Sequence, residues 1–350
     1  MKRSLVILAA CLTLGAMSTT AMAGVKLKLA SLAPAKSTWT KYLKKMAKEL
    51  KEKTGGEVTV ELYVGGVQGD EKEVIEKLKT GQLHMAAITA VGLGKIVPDA
   101  LIFQVPGLYA SAAKLDKVRN AVSPQIAAKA EAEGFKLLGW SDVGPNYFFT
   151  NNPVTKPSDL KAAKMWVWTD DPIAQSIVRN AGGSGRPMGV PSVTAALANG
   201  KIDGYMTSPL AAASLRWYNR STHIMGRPIS MGIGAIVMSK PAYDALSENA
   251  RKVMTEMSKK WTIKLTKRVR SDNKKLLLGM AGKAYEGVSL DKGGVLTVGA
   301  SKAGATKPVI THPGAADQAA WRSVYLRVQN ELAGKIYSKA LLDRVRGLAK

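Results

Sequence analysis

The chain has 350 residues, 46% of them hydrophobic and 22% charged, enough to bury two ordinary cores and too apolar for a disordered chain. Lys and Arg outnumber Asp and Glu by 51 to 26, a formal charge of +25 that favours acidic partners such as nucleic acid, anionic headgroups or acidic ligands. Lys2 and Arg3, an apolar run from Leu5 to Met17 and small residues ending Ala21-Met22-Ala23 have the order of a secretory signal cleaved after Ala23. A competing reading makes Leu8-Ala9-Ala10-Cys11 a lipoprotein box with Cys11 lipidated. Cleavage after Ala23 leaves a charge of 25 minus 2, or +23, and removes the only cysteine. Disulfides, thiolate metal sites and cysteine nucleophiles are then excluded. No later run approaches the roughly 18 to 20 apolar residues that span a bilayer. A soluble periplasmic protein is expected, and export makes nucleic acid the weakest candidate among the acidic partners.

Strand and helix patterns alternate from Val25 onward, the signal of an α/β chain with largely parallel sheets. Val25 to Ala30 reads as a strand, and Trp39, Leu43, Met46, Ala47 and Leu50 form one face of a helix closed by Gly55-Gly56. A strand at Val58 to Tyr63, a helix through Val74, Ile75 and Leu78, and a strand at Met85 to Ile88 complete a βαβαβ half. A second stretch has strands at Phe135 to Trp140, Tyr147 to Thr150, Met165 to Trp168 and Ile202 to Met206, with helices near Pro172 to Ala181 and Ser192 to Ala198. Ile233 to Met238 is a strand placed to cross back to the first half. Long apolar stripes follow, from Leu246 through Trp261 to Leu265 and from Trp321 to Leu332. Between them lies a segment, 286–316, rich in Gly, Ala and Lys, where Asp291-Lys292-Gly293-Gly294 reads as a hairpin turn.

No catalytic constellation emerges. His84, His223 and His312 are far apart, and no two have metal-ligand spacing. The chain has neither a phosphate loop nor a G-x-S-x-G elbow, and Gly92-Leu93-Gly94-Lys95 lacks the rest of a dinucleotide fingerprint. Asp170-Asp171 precedes Pro172 and reads as acidic residues complementing a helix start. Neither a cofactor nor an enzymatic activity is expected. Trp166 and Trp168, two apart in a strand, point to one face, where packing under a helix and an apolar ligand wall are both open.

From Lys28 to about Ser258 several short motifs occur in order. They include Thr54-Gly55-Gly56-Glu57-Val58, Gly66-Val67-Gln68-Gly69-Asp70-Glu71, Val105-Pro106-Gly107-Leu108-Tyr109, Asp159-Leu160-Lys161-Ala162-Ala163-Lys164-Met165, Pro187-Met188 and Gly200-Lys201-Ile202-Asp203-Gly204. Their order and spacing resemble the DctP-type extracytoplasmic solute receptors of TRAP transporters. The resemblance implies a two-lobed periplasmic substrate-binding fold with hinge strands and a long bridging helix, closing over a ligand and delivering it to integral membrane carrier subunits. Laid on this sequence it divides the chain into a signal peptide at 1–23, lobe I at 24–145 with 232–270 returning to it, lobe II at 146–231, and a C-terminal helical region at 271–350.

The family's D-L-K-G-L-K-I motif is normally followed by an arginine that grips a ligand carboxylate. Here that position is Trp166, a second cation position aligns with Asn146, and an acidic contact position falls near Thr89. Replacing a cation by an indole removes a charge-assisted pairing worth roughly 1.5 to 3 kcal/mol and adds apolar area. The expected ligand is therefore hydrophobic or amphipathic, held by Trp39, Gln68, Thr89, Asn146, Phe148, Trp166, Trp168, Met188, Tyr205, Met206 and Trp217. A conventional organic-acid receptor using Arg179, Arg186 or Arg216 remains an alternative, as does a sensory binding module without transport. A lipid hydrolase lacks a nucleophile and base. Divergent relatives also leave open a lipid-like ligand and a tetratricopeptide-repeat periplasmic partner.

Overall fold

The computed structural model describes residues 24–350, so the signal sequence and Cys11 lie outside the described residues. The N-terminal half contains β1 (Val25–Ser31), α1 (Thr38–Lys53), β2 (Val58–Tyr63), α2 (Glu71–Lys79), β3 (Met85–Thr89), α3 (Ala90–Gly94) and α4 (Ala112–Ala132). Strand β1 lies between β2 and β3 and runs parallel to both. Side chains on α1 such as Leu43, Met46 and Leu50 bury against Leu27 and Leu29 of β1, as the helical spacing predicts. Next come β4 (Phe135–Thr150), β5 (Lys164–Trp168), α5 (Pro172–Asn180), β6 (Ser184–Met188), α6 (Val190–Ala198), β7 (Gly204–Thr207), α7 (Pro209–Ser214), β8 (His223–Met225) and β9 (Ser230–Ser239). The remainder is α8 (Lys240–Asp244), α9 (Glu248–Ala281), β10 (Ser289–Leu290), β11 (Leu296–Thr297), β12 (Val309–Thr311), α10 (Ala315–Leu332) and α11 (Lys339–Ala349).

One ladder runs β2-β1-β3-β9-β4-β7-β5-β6, with β8 attached to β4 and β12 to β8. The antiparallel pair β4 and β9 therefore joins the parallel strands of the first half to those of the second. The strands expected at Phe135–Trp140 and Tyr147–Thr150 are one continuous strand of 16 residues. A register shift between Asp142 and Gly144 lets β4 bend without leaving its ladder, and Gly144 adopts a left-handed φ of 123° there. The helix stripe that begins at Leu246 continues as α9 over 34 residues, about 51 Å of axis. It lies directly on the crossing strands: a Cβ at Gly144 would stand 2.2 Å from Asn273 Nδ2. Asp291-Lys292-Gly293-Gly294 forms the turn between β10 and β11, as its composition indicates. Among the described residues no helix is long and apolar enough to cross a membrane.

A buried ionic network fastens α4 and α9 to the bend. Asp142 is wholly buried, and its two oxygens accept from Arg119 Nη1 at 2.7 Å and Arg270 Nε at 2.6 Å. Arg270 also forms a two-bond fork with Asp116, both contacts at 2.7 Å. Burial alone would lower the Arg270 pKa, but the two carboxylates outweigh it and hold the guanidinium firmly charged. An Asp142→Ala substitution leaves two arginines facing each other without this anion, and a loss of about 3 to 5 kcal/mol is expected. Denaturant unfolding followed by far-ultraviolet circular dichroism measures it, and a loss under 1 kcal/mol contradicts the role given to Asp142.

Candidate functional site

A cavity of about 180 Å³ lies between the two halves, floored by Val143, Asn146 and Gly232 of the crossing strands. Trp39 enters it from the first turn of α1 and rests against β9. A Cβ at Gly234 would stand 2.6 Å from the Trp39 ring, so a glycine there is what admits the indole. Strand alternation puts Trp166 and Trp168 on one face, their ring centroids 6.2 Å apart. Trp217, in the short turn after α7, meets Trp166 edge-on at 5.3 Å. These rings form one apolar wall.

The polar atoms of that wall are already engaged. Trp166 Nε1 donates to the Met188 carbonyl at 3.0 Å, and Trp217 Nε1 donates to Thr194 Oγ1 at 3.0 Å. Trp168 Nε1 donates to Asp70 Oδ2 at 2.8 Å, across the cleft from the other half. Asp70 also caps α2 through Oδ1, which accepts from Glu71 N at 2.9 Å, while Oδ2 accepts from Val190 N at 3.1 Å. Burial pushes the Asp70 carboxyl up, against the pull of these donors. A second link across the mouth is the Lys95–Asp170 ion pair.

Among the described residues two carboxyl groups line the cavity and no Lys, Arg or His side chain does. Glu71 is buried at 3% exposure and accepts from Thr89 N at 2.7 Å, Thr89 Oγ1 at 2.8 Å and Gly92 N at 2.7 Å. Burial still pushes its pKa up to about 7. Asp171 caps α5 by accepting from Ile173 N at 2.9 Å and Ala174 N at 3.1 Å, and burial pushes its pKa up to about 6. Among the described residues no three His, Cys, Asp or Glu side chains gather in a geometry that could hold a metal ion.

Of the residues singled out in the sequence, Trp39, Thr89, Asn146, Trp166, Trp168, Met206 and Trp217 line this cavity. Four do not. Phe148 faces the opposite side of the sheet, where it packs 5.5 Å from Trp321 of α10. Tyr205 is fully buried behind the wall, stacked on Phe149 at 5.2 Å and set edge-on to Trp217 at 5.4 Å. Met188 serves the site through its carbonyl, with its side chain outside the lining. Gln68 stays in the loop before α2, its carbonyl and side-chain oxygens accepting from Lys77 Nζ at 2.8 and 3.0 Å. The acid expected near Thr89 comes from Glu71, to which Thr89 donates. Sequence reasoning missed Glu71 and Asp70, whose signal was a capping aspartate before an acidic first turn. None of Arg179, Arg186 and Arg216 lines the cavity, and Arg179 is paired with Glu331 on α10.

A family model described as bacterial extracellular solute-binding protein, family 7 (DctP) matches residues 29–292. A solute-binding protein of Chromohalobacter salexigens is 28% identical over 218 residues, covering 62% of this chain and 65% of its own length. The matched stretch thus spans less than two thirds of that relative, and 57% of the next, from Roseobacter denitrificans. The C4-dicarboxylate-binding periplasmic protein DctP of Rhodobacter capsulatus is 24% identical over 296 residues, 84% of this chain and 82% of that one. Among solved structures, the sugar acid binding protein DctPAm of Advenella mimigardefordensis, in complex with galactonate, has a TM-score of 0.81 at 16% identity, covering 93% of this chain and 98% of that one. A TRAP periplasmic solute binding protein of Citrobacter koseri, with bound D-glucuronate, gives 0.77 at 22% identity, covering 92% and 98%. These likenesses establish the two-lobed fold.

The Glu71 carboxyl has a stability consequence whose sign is definite. Its folded pKa of about 7 exceeds its ordinary value of 4.5, so in that window the folded chain binds a proton that the unfolded chain has released. This contribution to stability grows as the pH falls from about 7 towards 4.5. The expected result is a higher unfolding temperature at pH 5.5 than at pH 8 and a flatter profile in Glu71→Gln. Equal pH profiles in the two proteins would contradict this reading.

Proposed function

As the chain belongs to the bacterial extracellular solute-binding proteins of family 7, we propose that it is the periplasmic receptor of a TRAP-type transporter, capturing an apolar or amphipathic molecule. The molecule enters between the halves and is passed to membrane carrier subunits. The observation that carries the ligand class is the lining of the cleft: among the described residues, indole faces, two carboxyls and no cation. A ligand carboxylate placed there meets Trp166 where the resemblance puts an arginine, and would leave water for a site already holding Glu71 and Asp171. Removing a carboxylate from water without a paired cation is costly. An apolar body gains about 25 cal/mol for each Å² it buries against the rings. Trp39 Nε1, which donates to no other described residue, remains available for one oriented contact to a polar end.

Closure on this reading is a hinge motion about β4 and β9, with the closed state favoured by whatever the ligand adds to the Asp70 and Lys95 links. A periplasmic tetratricopeptide-repeat partner and release of residues 1–23 as a signal belong to the same proposal. An organic-acid ligand is the second reading, favoured by the galactonate and D-glucuronate named for the two solved relatives. It requires the acid to be held by backbone amides and neutral side chains alone.

The wall makes a fluorescence titration direct, because Trp166, Trp168 and Trp217 report on the cleft. Medium-chain and long-chain fatty acids and their neutral alcohols are expected to quench or shift the emission at micromolar concentration, whereas C4 dicarboxylates and sugar acids leave it unchanged. In Trp217→Ala the affinity is expected to fall, since the ring holds Trp166 edge-on in the wall. Micromolar binding of an organic acid with no response to the lipids reverses the assignment.

A further inference from the structure

Behind the crossing strands lies a second, larger and open cavity of about 990 Å³, lined by α9, α10 and the β10–β11 hairpin. Successive residues of the same strands serve the two cavities. Val143 and Gly232 face the front cleft, whereas Asp142, Gly144 and Met231 face the rear. The charge of the rear cavity is opposite to that of the front. Arg227, Lys274 and Lys292 reach it from three separate elements, and among the described residues none of them has an acidic or hydrogen-bonding partner for its side chain. Two acids line it, and both are already satisfied. Asp142 is neutralised by Arg119 and Arg270, and Asp291 accepts from Gly293 N at 2.8 Å and Val295 N at 2.7 Å within its own turn.

Arg227 is the built part of this arrangement. Its loop between β8 and β9 is pinned on both sides, by Gly226 N to Thr311 O at 2.8 Å, Leu296 N to Gly226 O at 2.7 Å and Ile229 N to Asn146 O at 2.8 Å. Pro228 fixes φ at the next residue. A half-buried arginine on a pinned loop, without a partner among the described residues, offers a planar fork suited to an oxyanion with little backbone ordering left to lose. Lys274 from α9 and Lys292 from the hairpin turn add two point charges to the same space. We propose that the rear cavity binds a small multivalent oxyanion, a polycarboxylate or a phosphate, held by Arg227, Lys274 and Lys292. The site does not depend on what the front cleft holds. Because β4 and β9 line both cavities, an anion at the rear bears on the strands about which the front cleft closes.

Calorimetric titration of the full chain with citrate and with inorganic pyrophosphate tests the site. Saturable binding of at least one is expected. Citrate alone identifies a polycarboxylate site, and pyrophosphate alone a phosphate site. Affinity should fall at least tenfold in Arg227→Gln combined with Lys292→Gln and stay unchanged in Lys48→Gln, which removes a charge on the outer side of α1. The single Lys292→Gln variant, altered only at an exposed turn, should weaken binding on its own and guards against a folding defect in the double variant. Absence of binding by either anion, or equal affinity in the wild type and the double variant, overturns the proposal.

Discussion

The carboxylate of Asp70 is the point on which the cleft depends. One oxygen caps α2 in the first half, and the other accepts from the Trp168 indole and the Val190 amide in the second. A single side chain thus ties the start of one helix to a strand and a helix start across the cleft. An uncapped α2 would leave the amide of buried Glu71 unpaired at the cleft edge, so the capping bond and the bonds across the cleft reinforce each other. The same contact removes the polar atom of Trp168 from the ligand's reach. What faces the cavity is then the apolar surface of the ring.

That arrangement separates the chemistry of the cleft from the chemistry of the surface. The chain carries a large excess of cations, yet among the described residues none lines the front cavity. Many lie on the outer faces of α1 and α9, where Lys45, Lys260 and Lys264 surround the ring of Trp261. Others line the cavity behind the hinge. Charge on the surface costs little because water solvates it, whereas a cation in the cleft needs a paired anion or a ligand that brings one. A cleft of indoles and protonatable carboxyls has no such requirement.

The hinge strands hold this geometry because three groups lock the long helix to them. Asn273 of α9 donates to the Val143 carbonyl at 3.0 Å and accepts from Leu210 N at 2.9 Å, joining the helix to the crossing strand and to the start of α7. The Asp142 network lies nearby on the same strand. Gly144 allows the approach, since any side chain there would occupy the space of Asn273. The bend in β4, the position of α9 and the floor of the cleft are therefore one structural decision.

Alternating strand and helix periods made the α/β class readable from the sequence, and the tryptophans two apart on a strand made a shared apolar face readable as well. The break expected between Trp140 and Tyr147 was absent, because only pairing with β9, with its register shifts, carries the strand through that stretch. Period two also leaves open which face of a sheet meets a helix and which meets the cleft, so Phe148 and Tyr205 belonged with the wall on sequence grounds, whereas in the fold Tyr205 backs the wall and Phe148 packs on α10 on the opposite face. The indole at position 166 and the alternation of strands and helices follow from residue type and local period alone. That Asp70, 98 residues before Trp168, occupies the indole N–H, and that Glu71 supplies the acid beside Thr89, became visible in the folded chain alone. Those pairings arise from chain segments brought together by the sheet order, about which local sequence carries no signal.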